Sequence, residues 1–418
     1  MKHIGFALLL SLALTGCQST DPSGRQGGTE VKPATTPTKK IVLIAGKPSH
    51  GPGDHEFRAG CLLLQKSLSG VSGINAVVYS NGWPSKVESG KTVDDNSVFE
   101  DAAAVLIYAD GGGGHPLLQG DHLKVMTALM QKGIGLGCAH YGVEIPSTNG
   151  GSQLLDWIGG HYEHLYSVNP MWTPEFKSFP NHPVTRGVRP FALLDEWYFN
   201  MRWRPDLHGV TPILVATPTD KVRNGPYVYP QGPYKHVQEA KGRPETMMWV
   251  CERAEGGRGF GFTGGHKHVN WANDNDRKIV LNALLWIAKA EVPPNGVESS
   301  VAPHELAQNL DPKGVAADAP NLTGTWNLTV ETANASGAPS FTFTHAGQNL
   351  IGQYKGRLGE AEVSGSVNHK NNEVKWSFEV DVQGEKRTCV YKGKVEGKDS
   401  MKGTVTLGEY EGTWTAKR

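Results

Sequence analysis

The sequence predicts an α/β domain built on a parallel sheet, followed by a separate all-β domain. In the first part, short continuous apolar runs alternate with stretches whose apolar residues recur every three or four positions. This alternation is typical of strands and helices in a parallel α/β fold. Over residues 321–418, eight short runs of alternating polarity follow one another with turn residues between them, which indicates antiparallel strands.

The predicted sheet lies in residues 39–292. Continuous apolar runs, typical of strands buried on both faces, cover residues 40–46, 75–80, 103–110 and 133–139. Helical periodicity between these runs predicts helices at residues 57–68 and 121–133. Three further strands are expected at residues 212–217, 246–253 and 257–265, before an amphipathic helix at residues 276–290. Right-handed crossovers between such strands would make the sheet parallel.

The second domain is predicted at residues 321–418, after a linker at residues 293–320 that is rich in proline and polar residues. Its eight runs predict an antiparallel barrel or sandwich. Gly-Thr-Trp occurs in the first and the last run, at Trp326 and Trp414, which favours pairing of these two strands to close a ring. The pattern is similar to that of lipocalins and avidin. We expect an accessory role, structural or sugar-binding.

Residues 1–17 resemble a bacterial lipoprotein signal peptide. The apolar run at residues 4–14 is too short to span a bilayer, and Leu-Thr-Gly-Cys follows it as in a lipobox. The resemblance implies lipidation of Cys17, and Gln18 favours the outer membrane, so we expect an envelope protein whose anchored chain faces the periplasm or the cell surface. An ordinary signal peptide with a chance cysteine is the alternative. Residues 18–38 are expected to form a disordered tether.

The composition excludes a global attraction to polyanions. Lys plus Arg and Asp plus Glu both number 41 among 418 residues, so we expect no nucleic-acid partner. The chain is rich in glycine (52), histidine (16) and tryptophan (11), a mixture found in carbohydrate-handling proteins with aromatic-lined clefts. Beyond Cys17 the cysteines occur singly, and their apolar surroundings favour buried free thiols: Cys61, Cys138, Cys251 and Cys389.

Ionisable residues gather in the loops after the predicted strands. The carboxyl ends of parallel strands meet at one edge of a sheet, where open α/β folds bind their ligands. The residues expected at this edge are His50, His55, Asp110, His115, His140, Glu144, Glu196 and His266. A single loop histidine is usually solvated or hydrogen-bonded, but His140 differs, since Gly137 and Gly142 allow a sharp turn that lifts its side chain above the sheet.

The glycine run Gly111–Gly114 follows the third predicted strand. It lacks the Lys-Ser/Thr tail of a phosphate-binding loop, so we expect no nucleotide cofactor. The run is predicted instead to let the backbone approach a substrate closely.

Motifs along residues 40–292 carry a family resemblance. They are "KIVLIAGKPSHGPGDHEF", "GLGCAHYG", "IGGHYEHL", "HPVTRGVRPFALLDEWYF" and "MMWVCERAEGGRGFGFTGGHKHVNW". In this order they resemble the ThuA-like, or trehalose-utilisation, family, which implies the flavodoxin-like parallel sheet and flanking helices of class I glutamine amidotransferases. Those enzymes place a cysteine at the elbow where this sequence has His140. Cys138 should therefore point into the core, and we expect no glutamine amidotransferase activity.

The resemblance implies catabolism of disaccharides and glycosides, including 3-keto-glycosides, so the expected partner is a small carbohydrate substrate. Loss of the acidic proton beside the ketone would expel the glycosidic oxygen, which requires a base, an acid and an electrophile. We expect an enzyme of hydrolase or lyase type with His140, His266 and Glu196 as catalytic groups. A non-catalytic sugar-binding surface lipoprotein and a scaffold with a vestigial cleft are the alternatives.

Imidazoles and a carboxylate also suit a divalent metal such as zinc, with a position left for the ketone oxygen. The expected ligands are His50, His55, His140 and His266. No HExxH spacing is present, so the metal prediction requires nitrogens within about 7 Å of one another. Substrate contacts are expected from His115, Asp110, Trp197, Trp271 and Glu144, with the two tryptophans stacking on sugar rings.

Overall fold

A seven-stranded sheet forms the centre of the first domain in the computed structural model, which describes residues 38–316, 318–333, 336–382 and 384–418. The predicted signal peptide, Cys17 and all but the last residue of the tether lie outside the described residues. Residues 38–418 belong to one compact unit. The described helices include none that is both long and apolar enough to cross a bilayer.

The strands of the sheet are β1 Lys39–Ala45, β2 Ile74–Tyr79, β3 Ala102–Tyr108, β4 Gly135–Ala139, β5 Val210–Ala216, β6 Glu245–Glu252 and β7 Arg258–Phe262. Their order is β5-β6-β7-β4-β3-β1-β2. Strands β2, β1, β3, β4 and β7 are mutually parallel, as predicted. Strand β6 runs antiparallel to both neighbours, so the sheet is mixed. Only residues 253–257 join β6 to β7, which is too short for a parallel crossover.

Helices cover both faces of the sheet, and β1 shows how. Ile41, Leu43 and Ala45 belong to one hydrophobic core, whereas Val42 and Ile44 belong to another, because successive side chains of a strand point to opposite faces. Helices α1 and α6 bury side chains in the first core, and α2 and α3 in the second. The helices are α1 Phe57–Leu68, α2 His122–Gln131, α3 Ser152–Ile158, α4 Asp220–Arg223, α5 Lys235–Glu239, α6 Asp274–Ile287 and α7 Pro303–Leu306.

Short antiparallel pairs lie outside the main sheet. They join Ser85–Glu88 to Lys91–Asp94, Gly160–His161 to Arg202–Trp203, Met171–Trp172 to Asp195–Glu196, and Glu175–Phe176 to Phe191–Ala192. Three of these pairs lie in the long segment between α3 and β5, residues 159–209. One of them carries Glu196.

The second domain is a closed eight-stranded antiparallel barrel, and the predicted ring closure is confirmed. Its strands are β8 Gly324–Thr332, β9 Ser340–Ala346, β10 Asn349–Gly356, β11 Gly359–Asn368, β12 Glu373–Val382, β13 Glu385–Val395, β14 Ser400–Leu407 and β15 Tyr410–Lys417. The first strand pairs with the last, from Asn327 opposite Lys417 to Thr332 opposite Gly412. A two-residue strand, Ser336–Gly337, also pairs with β8. Aromatic side chains fill the interior, including Trp326, Trp376 and Trp414.

Residues 293–316 are packed against the α/β domain. Val297 and Leu306 are buried in its core, and Lys313 forms an ion pair with the buried Glu56, with 3.2 Å between Nζ and Oε1. The backbone N–H of Asp311 donates to the other oxygen of Glu56 at 2.7 Å. A buried carboxylate requires such partners, and they make this segment a fixed strap over the loop after β1.

Candidate metal centre and catalytic site

The strand order places the site at a topological switch point. From β1 the chain continues to β2 on one side and then crosses to β3 on the other. The loops after β1 and β3 therefore separate and leave a crevice at the carboxyl ends of the strands. His55 lies on the first loop and Asp110 on the second, and His140 follows the adjacent strand β4.

Three imidazoles and one carboxylate meet in this crevice. Nε2 of His55 lies 3.0 Å from Nε2 of His140 and 3.1 Å from Nδ1 of His266. Oε2 of Glu196 lies 2.6 Å from Nδ1 of His266 and 3.6 Å from Nε2 of His140. One potential ligand atom from each of the four residues falls within 4.8 Å of all the others, and all four side chains are buried. The separations are well inside the range that the metal prediction requires.

The turn after β4 presents His140 to the centre. The strand ends at Ala139, His140 adopts a left-handed backbone with φ of 50°, and a short 3-10 helix, His140–Val143, follows. A Cβ at Gly142 would lie 2.9 Å from the carbonyl oxygen of Ile107, so glycine is needed where the turn passes β3. Cys138 points into the core, as predicted, and burial raises the pKa of its thiol.

The second nitrogen of each of the three histidines faces an oxygen outside the centre. Nδ1 of His140 donates to the carbonyl of Thr263 at 3.0 Å. Nδ1 of His55 lies 2.8 Å from Oδ1 of Asp110, and Nε2 of His266 lies 3.7 Å from Oδ2 of Asp54. Acceptors in these positions favour a proton on the outer nitrogen, so the inner nitrogen is the one that can bind a metal. Metal-binding histidines are oriented in this way.

Burial keeps two of the inner imidazoles neutral. Loss of solvent lowers the pKa of His140 to about 3, although Glu196 opposes the shift. Burial also lowers the pKa of His55 well below its usual value, and the neighbouring histidines add to the effect. Burial opposes protonation of His266 too, but Asp54 and Glu196 raise its pKa to about 10. His266 is therefore the charged imidazole of this group, between the carboxylates of Asp54 and Glu196.

The carboxylate of Glu196 is fixed from outside the crevice. It lies on the two-residue strand Asp195–Glu196, and its Oε1 accepts a hydrogen bond from the side-chain N–H of Asn169 at 2.8 Å. This contact leaves Oε2 directed at the histidines. The hydroxyl of Tyr198 lies 3.2 Å from Nε2 of His140 and adds a buried proton donor beside the centre.

His50 lies beside the centre, outside the buried group of four. Its side chain is 42 % exposed and stacks on the ring of His55, with 3.6 Å between the ring centroids. Nδ1 of His50 lies 4.0 Å from Oδ1 of Asp110. His50, His55 and Asp110 form a second group with the spacing of metal ligands, but it is more exposed. Of the four predicted metal ligands, His50 thus lies outside the buried group, which includes Glu196.

Glu144 is the half-buried acid of the crevice. Burial, together with the negative charge of Glu196, raises its pKa to about 7. A carboxyl group in this range can both accept and donate a proton at neutral pH.

Asp110, which we also expected to contact substrate, is half-exposed and receives hydrogen bonds from Ser49 and His55. Burial raises the pKa of Asp110, and the bond from Ser49 opposes this.

Three expected substrate contacts lie away from the open crevice. His115 is fully buried, donates from Nε2 to the carbonyl of Gly142 at 2.9 Å and accepts from the N–H of Leu117. It braces the turn that carries His140. Trp197 and Trp271 are at most 1 % exposed and pack in the hydrophobic core. Neither indole has a free face for a sugar ring, so the stacking role expected of them finds no surface in this structure.

The glycine run also differs from its expected use. A Cβ at Gly111 would lie 2.1 Å from the carbonyl oxygen of Tyr141 and 2.6 Å from that of Glu144, whereas Gly113 and Gly114 have no atom within 4 Å of such a Cβ. The close approach is therefore between two loops of the protein. Gly111 brings the loop after β3 against the turn after β4.

Sequence reasoning missed several residues that complete the site. Thr263 and Asn169 act through a backbone carbonyl and a neutral amide, which leave no pattern of their own in the sequence. Asp54, by contrast, follows the first predicted strand next to His55, and the sequence places it at this edge of the sheet without giving it a role. Tyr198 follows Glu196 by two residues, which places both side chains on the same face of a strand-like segment.

Comparison with known proteins gives one family and several partial likenesses. The model of the trehalose utilisation family, ThuA, matches residues 67–287. The curated protein DELTA-stichotoxin-Hcr4a from Radianthus crispa is 31% identical over 116 residues, which are 26% of this chain and 66% of the toxin. The chain thus spans just under two thirds of that protein.

Three similar solved structures each match about a quarter of the chain. A redesigned β-barrel is 13% identical over 23% of this chain and 90% of its own, with a TM-score of 0.21. Fatty-acid-binding protein 1 of Echinococcus granulosus is 16% identical over 23% of this chain and 96% of its own, with a TM-score of 0.15. The fatty-acid-binding protein of Schistosoma mansoni in complex with arachidonic acid is 18% identical over 24% and 98%, with a TM-score of 0.17.

Proposed function

This chain belongs to the ThuA family of trehalose utilisation, and from this carbohydrate-related role we propose that it is a metal-dependent enzyme acting on 3-keto-glycosides or related disaccharides. One observation carries the proposal. Inner nitrogens of His55, His140 and His266 converge with an oxygen of Glu196 within 4.8 Å in a buried crevice. A divalent cation could take the place of the proton on His266 and be held by all four groups.

The donor set fits a zinc-like divalent ion. Three imidazole nitrogens and one carboxylate oxygen are ligands that zinc prefers, and the outer nitrogen of each imidazole faces an acceptor. When bound, the metal would polarise the ketone of an oxidised sugar as a Lewis acid. His55, His140, His266 and Glu196 would hold it.

Proton transfer falls to Glu144 in this proposal. Its carboxylate removes the proton from the carbon next to the ketone, a double bond forms toward the anomeric carbon, and the bond from that carbon to the glycosidic oxygen breaks. The proton held by Glu144 then passes to the departing oxygen, which leaves as an alcohol. A pKa of about 7 suits both steps. Addition of water to the unsaturated sugar would complete a net hydrolysis.

An exposed tyrosine is our candidate for the sugar-stacking surface. Tyr229 is 71 % exposed, and its backbone N–H donates to the side-chain oxygen of Asn169 at 3.2 Å. The amide nitrogen of the same Asn169 bonds Glu196 at the centre. Asn169 thus links the backbone of Tyr229 to the cluster through two hydrogen bonds. Aromatic rings such as that of Tyr229 can stack on the apolar faces of sugars.

We test the function with purified full-length protein. The wild type should contain about one divalent metal ion per chain by elemental analysis and should cleave a 3-keto-glycoside. His140→Ala should lose both metal and turnover, whereas His122→Ala, a buried histidine bonded to Asp94 and to the carbonyl of Pro116, should keep its metal. Tyr229→Ala should raise KM more than it lowers kcat. Sugar binding without metal or turnover would support the alternative, a non-catalytic sugar-binding surface lipoprotein.

We further propose that the protein is anchored in the cell envelope through Cys17. The lipobox-like sequence before Cys17 supports this proposal. The wild type should incorporate labelled fatty acid and sediment with membranes, whereas Cys17→Ser should do neither. Fatty-acid labelling that persists in Cys17→Ser would contradict the assignment of this residue.

A further inference from the structure

The turn between β9 and β10 of the barrel touches the loop after β1 of the sheet. The backbone N–H of Gln348 donates to the carbonyl of Pro52 at 2.8 Å. A Cβ at Gly347 would lie 2.2 Å from the backbone nitrogen of Gly53, and one at Gly53 would lie 2.4 Å from the carbonyl oxygen of Ala346. The two backbones are therefore as close as glycine permits.

Side chains of this turn bind Asp54 on both of its oxygens. Nε2 of Gln348 donates to Oδ2 at 2.6 Å, and Nδ2 of Asn349 donates to Oδ1 at 2.8 Å. Nζ of Lys267 donates to the amide oxygen of Asn349 at 2.8 Å. Because lysine can only donate, this bond fixes the orientation of the Asn349 amide and directs its N–H groups at Asp54.

Asp54 in turn faces the metal centre. The carboxylate is only 8 % exposed, and its Oδ2 lies 3.7 Å from Nε2 of His266. An anionic acceptor there favours a proton on Nε2 of His266, so that Nδ1 is the nitrogen that can bind a metal. Two hydrogen bonds therefore join the barrel turn to Asp54, and an ion-pair contact joins Asp54 to His266.

We propose that the barrel turn at Gln348 and Asn349 is part of the metal centre, where it positions Asp54 and through it orients His266. The inference rests on the proposed metal-dependent function and gives the barrel a specific role in it. Gln348, Asn349 and Asp54 are positioning residues, since none of them contributes an atom to the group of four. Loss of such outer partners commonly weakens metal binding by roughly 10- to 100-fold.

The packing of the barrel is consistent with this role. Aromatic rings occupy its interior, and Trp376 and Tyr391 stack at 5.1 Å between centroids. An eight-stranded barrel of this kind is filled by its own side chains. Its contact with the site is made by an outer turn, the place where a barrel can add side chains without disturbing its interior.

The experiment measures metal affinity in the full-length protein by competition with a chelator. Zinc, the probe, should bind Gln348→Ala and Asn349→Ala several-fold more weakly than the wild type, and the double variant roughly 10- to 100-fold more weakly. Gln353→Ala and Asn371→Ala remove the same groups from exposed positions of the same barrel and should bind zinc as the wild type does. Thermal unfolding of the metal-free forms separates positioning from general destabilisation.

The positioning role predicts weaker zinc binding with little change in the metal-free unfolding temperature. Zinc affinities equal to that of the wild type in both single variants and the double variant would overturn the inference while leaving the metal centre intact. A wild type that binds no zinc would instead overturn the proposed function, and the inference with it. If the double variant does not fold, the zinc affinity of Gln348→Ala alone tests the inference. This variant should fold, because it removes only one half-buried amide.

Discussion

Contacts outside the centre determine which ring nitrogen of each histidine faces inward. The carbonyl of Thr263 faces Nδ1 of His140, and Asp110 faces Nδ1 of His55. These contacts turn the Nε2 atoms of both histidines inward, where they lie 3.0 Å apart. The turn after β4 thus presents to the crevice a buried imidazole, His140, that could hold a cation with its neighbours.

Glu144 gives a pH prediction that is independent of turnover. Its pKa in the folded protein is raised to about 7 from 4.5, so its ionised form is less favourable in the folded than in the unfolded state. The loss of folding stability caused by ionising Glu144 is absent below pH 4.5, grows as the pH rises and is complete above pH 7. Glu144→Gln should therefore be more stable than the wild type by roughly 1–3 kcal/mol at pH 8 and equally stable at pH 4.

Denaturant unfolding of the metal-free proteins at the two pH values measures this difference. Glu409→Gln, at an exposed position of the barrel, is the matched control and should follow the wild type at both. A Glu144→Gln variant that gains no stability at pH 8 would show that Glu144 ionises there without cost.

At the scale of elements, the contact between two loops sets the shape of the crevice. Gly111 has its backbone against the carbonyls of Tyr141 and Glu144, and the N–H of Gly112 donates to the carbonyl of Glu144 at 3.0 Å. The loop after β3 thereby holds the turn that carries both His140 and Glu144.

Alanine scanning of the glycine run tests this contact. Gly111→Ala places a methyl group 2.1 Å from a backbone oxygen, so the loops must separate, at a cost of roughly 1–3 kcal/mol of unfolding free energy. Gly113→Ala meets no atom within 4 Å and should change the unfolding free energy by less than about 0.5 kcal/mol. Urea unfolding measures both. Equal effects of the two substitutions would contradict the proposed contact.

Periodicity in the sequence predicts the long elements but not the short ones. Helix α1 spans Phe57–Leu68, the predicted residues, because its apolar positions recur at helical spacing. The two-residue strands between α3 and β5 are too short to show any period, and the direction of β6 depends on pairing that no local pattern records. The barrel was predictable since its eight strands alternate in polarity and its ends repeat Gly-Thr-Trp.

The convergence of the site was predictable for a topological reason, and its details were not. Loops at the carboxyl ends of parallel strands must lie together, and this brings His55, His140 and His266 into one crevice. The choice between His50 and His55 depends on tertiary packing, since both have positive φ but only His55 is buried. The burial of Trp197 and Trp271 follows from packing at long range, which sequence patterns do not encode.

At the scale of the whole molecule, one short loop receives support from three directions. Residues 50–55 follow β1, and both His50 and His55 adopt left-handed backbones, which is costly for residues other than glycine. Lys313 of the strap donates to the carbonyl of Asp54 and pairs with Glu56. The barrel turn binds Asp54 from another side, and the N–H of His268, after β7, donates to the carbonyl of Gly53. Distant parts of the chain therefore hold the loop in the form that presents His55.

The contact between barrel and loop is tested by two glycines of the same backbone conformation. Gly347 has φ of 60° and Gly408 has φ of 59°, so alanine should cost each site a similar conformational strain of about 1 kcal/mol. Their surroundings differ. A methyl group at Gly347 would lie 2.2 Å from the backbone of Gly53, whereas at Gly408 the nearest atom is the flexible end of Arg387, at 3.9 Å.

Gly347→Ala should therefore push the barrel turn away from Asp54 and weaken zinc binding, whereas Gly408→Ala should lose stability but keep the zinc affinity of the wild type. Chelator competition and urea unfolding on the same preparations separate the two effects. Because strain is shared by both variants, a lower affinity in Gly347→Ala alone can only come from the lost contact. Equal zinc affinities in the two variants would mean that the metal centre does not depend on how closely the barrel approaches the sheet.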